Sequence, residues 1–209
     1  MNHIFIKGNK KEKTLVVFHG TGGNEKDLIP VAEMIDAEAN ILSIRGNVSE
    51  NGMNRFFRRL EEGIFDEDDI RFRAKEIKDF LENASIEYGF SLKNLTAIGY
   101  SNGANIIAAL HYLYGDIFKK SILFHPMVPL KEIPDTSLTE TSIFIGAGEN
   151  DPIVPFANTM ALEKVLKDIG ADVSVHKYMQ GHTLTANEVR DAAAWILNKN
   201  QKTFGFNHP

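Results

Sequence analysis

Short apolar runs alternate with longer amphipathic ones along the whole chain. "TLVVFHG" (14–20), "NILSIRG" (40–46), "NLTAIGY" (94–100), "KSILFHP" (120–126), "TSIFIGAG" (141–148) and "ADVSVHKY" (171–178) are compact and rich in branched residues. Runs with so little polar alternation suit strands covered on both faces of a parallel sheet. Helical patterns fall between them. Ile70, Ala74, Ile77, Leu81, Ala84 and Tyr88 step by four and three, so they share one helix face. Ala104 to Tyr114 is apolar almost all round, as expected of a helix in the middle of a sheet. Residues 157–169 repeat the amphipathic pattern with Ala161, Leu162, Val165, Leu166 and Ile169, and a last helix over 185–198 would bury Val189, Ala193 and Ile196.

Strand and helix in alternation predict an α/β doubly wound domain. The leading "HIFIKG" is expected to pair with "TLVVFHG" as a hairpin across the polar "GNKKEK". Ser49 to Asp69, "SENGMNRFFRRLEEGIFDEDD", fits neither period. It reads as a long loop or short lid with exposed Phe56, Phe57 and Phe65, and long ordered connections in compact domains are often functional. Its acidic end reads as a helix start, because carboxylates favour the N-terminal turn.

Composition narrows the classes. A chain of 209 residues is most simply one domain over 1–209, long enough to bury roughly 70% of its unfolded surface. A net charge of -5 advertises no basic surface for nucleic acid. The absence of cysteine excludes disulfides, thiolate nucleophiles and cysteine metal sites, and it fits a reducing compartment. The first apolar run is too short for a secretory signal, and nothing approaches the ~20 apolar residues of a membrane helix. A cytoplasmic protein without a membrane partner is expected.

One junction carries chemistry. "LTAIGYSNGANIIAAL" (95–110) runs from a strand pattern through Gly99-Tyr100-Ser101-Asn102-Gly103 into an apolar helix pattern. Gly-x-Ser-x-Gly permits a turn too sharp for side chains at its flanks, and it presents Ser101 at a helix N-terminus. A serine hydroxyl needs a base, and the base needs an orienting acid. On such a scaffold the chain order is Ser, then acid, then His. Asp151 follows a strand pattern in "GAGENDP", and His182 lies in "GHTLT" between the last strand and the last helix. Both fall on loops after strands, where open α/β sheets place their sites. Glu149, nearer the strand, is the rival acid. Histidines 3, 111, 176 and 208 carry no companion motif, and no His/Asp/Glu cluster has ligand spacing, so neither metal nor cofactor is expected.

A tetrahedral intermediate needs two N–H donors, each worth on the order of 3 kcal/mol of barrier. Asn102 should supply one backbone N–H. "FHGTGGNEKD" should supply the other, from Thr21 or, as second choice, Gly22, with His19 bracing the loop. Phe56, Phe57, Met127 and Val128 are nominated as pocket walls. Arg45 and Arg55 are candidates for an anionic group, with a structural salt bridge the competing role.

"FHGTGGNEKDL", "RGNVSENGMNRFFRRLEEGIFDEDDI", "GYSNGANI", "HPMVP", "GAGENDPIVP" and "GHTLT" together resemble the phospholipase/carboxylesterase group of the α/β-hydrolase superfamily. More narrowly they resemble its small bacterial branch associated with hydroquinone and quinone resistance, over nearly the whole chain. The resemblance implies an α/β-hydrolase fold with a mostly parallel central sheet, helices on both faces and no large cap domain. It implies a serine esterase acting on a small-molecule ester, with Ser101 as nucleophile, Asp151 as acid, His182 as base and the backbone amides of Thr21 and Asn102 as oxyanion donors. The alternatives are a thioesterase or lysophospholipase for longer acyl chains, hydrolysis of lactones or ring adducts, and a non-catalytic ligand binder on the same fold. A homodimer through exposed apolar loop residues is compatible with the pattern.

Overall fold

A computed structural model describes residues 1–61, 63–132 and 135–204. In chain order its strands are β1 (His3–Ile6), β2 (Lys10–Phe18), β3 (Ala39–Ile44), β4 (Val48–Glu50), β5 (Met53–Arg55), β6 (Arg59–Glu61), β7 (Ile64–Phe65), β8 (Leu95–Tyr100), β9 (Lys120–Phe124), β10 (Ser142–Gly148) and β11 (Asp172–Tyr178). The helices are α1 (Ile29–Asp36), α2 (Glu67–Tyr88), α3 (Asn102–Tyr114), α4 (Phe156–Asp168) and α5 (Ala186–Phe204). Seven strands form one sheet in the order β1-β3-β2-β8-β9-β10-β11. All neighbours are parallel except β1, which runs antiparallel to β3.

The expected N-terminal hairpin does not form. Thr14–Phe18 of β2 is flanked on one side by β3 and on the other by β8, both parallel to it. No edge of β2 is therefore free for β1, which takes the outer edge of β3 with His3 opposite Ile44. Helix α1 carries a signal in Leu28, Ala32 and Ile35, spaced by four and three and all buried. That pattern was too short to stand out in the sequence.

The strands are apolar on both sides because both faces are covered. Leu15 and Val17 point to the layer of α1 and α5, among Ala32, Ile35, Val189, Ala192, Trp195 and Ile196. Val16 and Phe18 point to the opposite layer, with Ile70, Ile77 and Leu81 of α2 and most of α3. Period-two side chains thus feed two cores from one strand. Asp66 caps α2, accepting the Asp69 N–H, and Glu67, Asp68 and Asp69 occupy its first turn. The acidic run is a helix start. In α4 the buried positions are Thr159, Leu162 and Leu166, while Ala161 faces outward.

In place of an open loop, β4 pairs with β5 and β6 with β7 as two small antiparallel hairpins, and α2 begins at Glu67. Phe56 and Phe57 between the hairpins are not exposed. They are 1% and 0% accessible and belong to the core under α2 and α3. Phe56 packs on Phe18 at 5.3 Å between ring centroids, and Phe57 meets Phe65 edge-on at 5.0 Å. Phe57→Ala is therefore expected to cost about 3–5 kcal/mol, read as a fall in the urea midpoint. Leu60→Ala on the neighbouring exposed hairpin should move stability by less than about 0.5 kcal/mol. Equal effects at the two positions would contradict the burial of Phe57.

Candidate active site

Strand β8 delivers Ser101 to the start of α3 through a backbone turn that only the flanking glycines allow. A Cβ on Gly99 would lie 2.7 Å from the Ala104 nitrogen, and one on Gly103 would lie 2.1 Å from the Phe18 oxygen. Ser101 itself takes φ 51°, in the left-handed region that costs a side chain energy and marks functional turns. Its N–H donates to the Phe124 carbonyl at 2.8 Å, tying the elbow to β9.

Around that serine the structure gathers the other two expected residues. His182 Nε2 stands 2.8 Å from Ser101 Oγ, and His182 Nδ1 stands 2.7 Å from Asp151 Oδ2. A carboxylate only accepts, so Nδ1 carries the proton and Nε2 is left to accept from the hydroxyl. Asp151 Oδ1 accepts from the N–H groups of Ile153 and Val154 at 2.8 and 2.9 Å. Burial favours the protonated acid, but these N–H groups and two histidines hold the Asp151 carboxyl below its usual range. The Tyr100 hydroxyl donates to the His182 carbonyl at 2.7 Å and fixes the loop that carries the imidazole. The rival acid Glu149 is at the surface, 2.6 Å from Lys177 Nζ.

The second histidine on Asp151 was not foreseen. His125, at the end of β9, places Nδ1 2.9 Å from the same Oδ2 and Nε2 2.9 Å from Glu188 Oε1. Glu188 lies in the first turn of α5, where it forms a capping box with Thr185. It accepts from the Thr185 N–H and hydroxyl, both at 2.8 Å, with Oε2. His125, Asp151 and His182 bring three ligand-type atoms within 4.8 Å of one another. Both Nδ1 atoms sit at hydrogen-bond distance from one oxygen, so the cluster is arranged as a proton-bearing chain.

The loop after β2 lies across the elbow. His19 braces it as expected, its Nδ1 donating to the Gly20 carbonyl at 2.6 Å and its Nε2 accepting from Gly46 at 3.0 Å. Burial pushes the His19 imidazole below its ordinary range. The Gly22 N–H is engaged by the Asn54 carbonyl at 2.9 Å. Thr21 lines the pocket, and its hydroxyl accepts from Arg55 Nη1 at 2.8 Å. Asn102 contributes more than a backbone. Its Oδ1 accepts the Phe56 N–H at 2.7 Å, locking the elbow to the β4–β5 hairpin, while its buried Nδ2 has no hydrogen-bond partner among the described residues.

The pocket over Ser101 has a volume of about 490 Å³. Thr21, Arg55, Arg59, Phe65, Met127 and Ile153 are among its walls. Met127 lines this pocket. Phe56 and Phe57 do not; the apolar core claims them, and Phe65 takes the aromatic position. Val128 lines a neighbouring cavity of about 310 Å³ instead. The Met127 N–H is held by Asn105 of α3 and the Val128 N–H by Asn158 of α4. Arg45 pairs with Glu25, its Nη2 at 2.7 Å from Oε1. Arg55 is buried and shares Glu50 with Arg59. Of the remaining histidines, His111 is buried in α3 with its Nε2 2.8 Å from Ser121 Oγ, and burial pushes it down to about 4. His208 lies outside the described residues.

Among the described residues no helix is long and apolar enough to cross a membrane. The family model for the dienelactone hydrolase family matches residues 3–206. The hydrolase MhqD of Bacillus subtilis (strain 168) is 45% identical over 195 residues, which is 93% of this chain and 97% of that one. The crystal structure of a Bacillus cereus carboxylesterase superposes with a TM-score of 0.93 at 50% identity, covering 95% of this chain and 94% of that one. YahD, solved with malic acid, gives 0.90 at 32% identity over 94% and 98%. The sheet order, the helices on both faces and the lack of a large cap agree with these neighbours as an α/β-hydrolase fold. With the family model spanning nearly the whole sequence, this chain belongs to the dienelactone hydrolase family and is a hydrolase of dienelactone hydrolase and carboxylesterase type.

Proposed function

We propose that the protein hydrolyses carboxylic esters through an acyl-enzyme on Ser101. The observation that carries this reading is the unbroken chain from Ser101 Oγ to His182 to Asp151, at 2.8 and 2.7 Å, on a strained elbow. His182 Nε2 takes the hydroxyl proton as Oγ attacks the ester carbonyl. Asp151 holds the imidazole in that tautomer and stabilises its charged form. The oxyanion is received by the backbone N–H groups of Asn102, at the open first turn of α3, and of Thr21. Thr21 is preferred to Gly22 because the Gly22 N–H already has a carbonyl partner. His182 then returns the proton to the leaving alcohol, and water repeats the sequence to release the acid. No cofactor enters these steps.

Arg55 and Arg59, both on the pocket wall, share the one carboxylate of Glu50. This wall favours short esters bearing a carboxylate or other acceptor, a class in keeping with the malic acid recorded with YahD. A second reading, cleavage of longer acyl chains, is favoured by one feature. Gly63 and Phe65 line both the Ser101 pocket and the Val128 cavity, so a chain could continue past Phe65.

The test is a fluorophosphonate that traps activated serines, followed by intact mass and peptide mapping. One adduct on Ser101, absent from Ser101→Ala and from His182→Ala, is the expected result. A folded protein that stays unlabelled where a control hydrolase reacts would instead support the ligand-binding alternative. A panel of acyl chain lengths then separates the two substrate readings.

A further inference from the structure

We propose that His125 is a positioning residue of this site: an imidazolium clamped between Asp151 and Glu188, whose positive charge keeps His182 ready to accept a proton. The inference rests on the triad reading above and deepens it.

The partners of the two ring nitrogens favour the charge. Asp151 Oδ2 faces His125 Nδ1 at 2.9 Å, and an ionised carboxylate cannot donate, so Nδ1 carries a proton. Glu188 Oε2 accepts from the Thr185 N–H, the Thr185 hydroxyl and Gln180 Nε2, which is how an ionised carboxylate is held. Its other oxygen, Oε1, faces His125 Nε2 at 2.9 Å, and among the described residues no other donor reaches it. Both side chains are sealed from solvent. A bare Nε2 facing an ionised Oε1 would set lone pair against lone pair with no water to intervene, so a proton lies between them, and on Nε2 it completes the imidazolium. The contact is an ion pair of 2.9 Å between two side chains closed off from solvent.

Burial opposes this charge, yet the two carboxylates outweigh it and hold His125 above the ordinary histidine range. Glu188, despite its own burial, is held below the ordinary carboxyl range by His125 and Thr185. His125 also sits at φ 53°, an unusual backbone conformation for a side-chain-bearing residue, with its N–H on the Gly146 carbonyl at 2.8 Å. The chain accepts that conformation to aim the ring between two acids.

The titratable groups packed on His125 come from four places. Asp151 follows β10, Glu188 is on α5, His182 follows β11, and Tyr100 ends β8. The His182 ring lies 5.2 Å away and the Tyr100 ring 5.9 Å, edge-on. Burial and the two carboxylates raise the Tyr100 phenol, so it stays neutral. The charged members are then two carboxylates and one imidazolium. The positive charge on His125 therefore acts, from a ring 5.2 Å away, directly on the imidazole that faces Ser101.

The experiment uses the whole protein and two readouts. Ring ¹⁵N NMR, with His125 assigned by its loss in His125→Gln, should show both nitrogens protonated in the wild type through about pH 8. In Glu188→Gln, which keeps the Thr185 contacts, one nitrogen should lose its proton within that range. The rate of fluorophosphonate labelling of Ser101 against pH should show the acid limb of His125→Gln moved up by about one unit. That shift makes its rate about ten-fold lower than the wild type's on the limb and closer to it on the plateau. An unprotonated His125 nitrogen in the wild type overturns the clamp. A limb that stays in place while the rate falls equally at every pH overturns the positioning role and leaves His125 structural. No Ser101 adduct on the wild type removes the triad and the positioning role together, and that failure is distinguished because the wild-type protein itself gives it.

Discussion

Ser101→Ala is expected to lower kcat for any ester the protein cleaves by about 10⁵- to 10⁶-fold, with His182→Ala close behind. The nucleophile and its base act in one proton transfer, so the double variant should lose little more than either single one. Residual turnover should remain some 10³-fold above the uncatalysed rate, because the oxyanion donors proposed at Thr21 and Asn102 are backbone groups that neither substitution removes. Stability should hardly change in Ser101→Ala. The side chain is partly exposed, and the elbow is held by the Ser101 N–H and by Gly99 and Gly103 rather than by the hydroxyl. Steady-state kinetics with urea midpoints on the same preparations check both halves. A Ser101→Ala variant within ten-fold of wild type would mean that another group attacks the ester, whatever the geometry of this chain.

What the sequence made legible follows from where the information lies. The strands of the sheet are read from runs buried on both faces, and that signal is local. Gly99 and Gly103 are read because backbone proximity forbids any other residue, which is again a local cause. Ser101, Asp151 and His182 could be nominated because each ends or follows a strand, and parallel strands carry their ends to one edge. The pairing of β1 with β3 was not legible, since it depends on which edge two later strands leave open. Phe56 and Phe57 read as exposed because hairpins of two and three residues per strand have no period long enough to show a buried side. Glu188 follows the Thr185 start of a helix and carries no signal of a second contact in its local sequence. His125 joins it only when β9, β10 and α5 are brought together in space.

Asp151→Asn should lower kcat by about 10⁴-fold while leaving the protein folded. The amide can keep its Oδ1 on the Ile153 and Val154 N–H groups, which places Nδ2 where Oδ2 now faces two imidazoles. A donor cannot accept the Nδ1 proton of His182, so the ring is driven to the tautomer with its proton on Nε2. That nitrogen then faces Ser101 with nothing to accept the hydroxyl proton. The same replacement removes one of the two carboxylates that hold His125 charged, so stability should also fall, by about 1–3 kcal/mol. Asp151→Ala, which abandons four donors in a buried place, should cost more, about 3–5 kcal/mol. Glu149→Gln is the control, because that carboxylate is engaged at the surface with Lys177 and its loss should leave kcat within about two-fold and stability within about 0.5 kcal/mol. Loss of stability alone would not reduce kcat in the folded fraction, so the two measurements separate orientation of the base from support of the loop. If Asp151→Asn kept its kcat and only its urea midpoint fell, Asp151 would be a structural anchor for residues 151–154, and the acid of the proposed triad would have to be sought elsewhere.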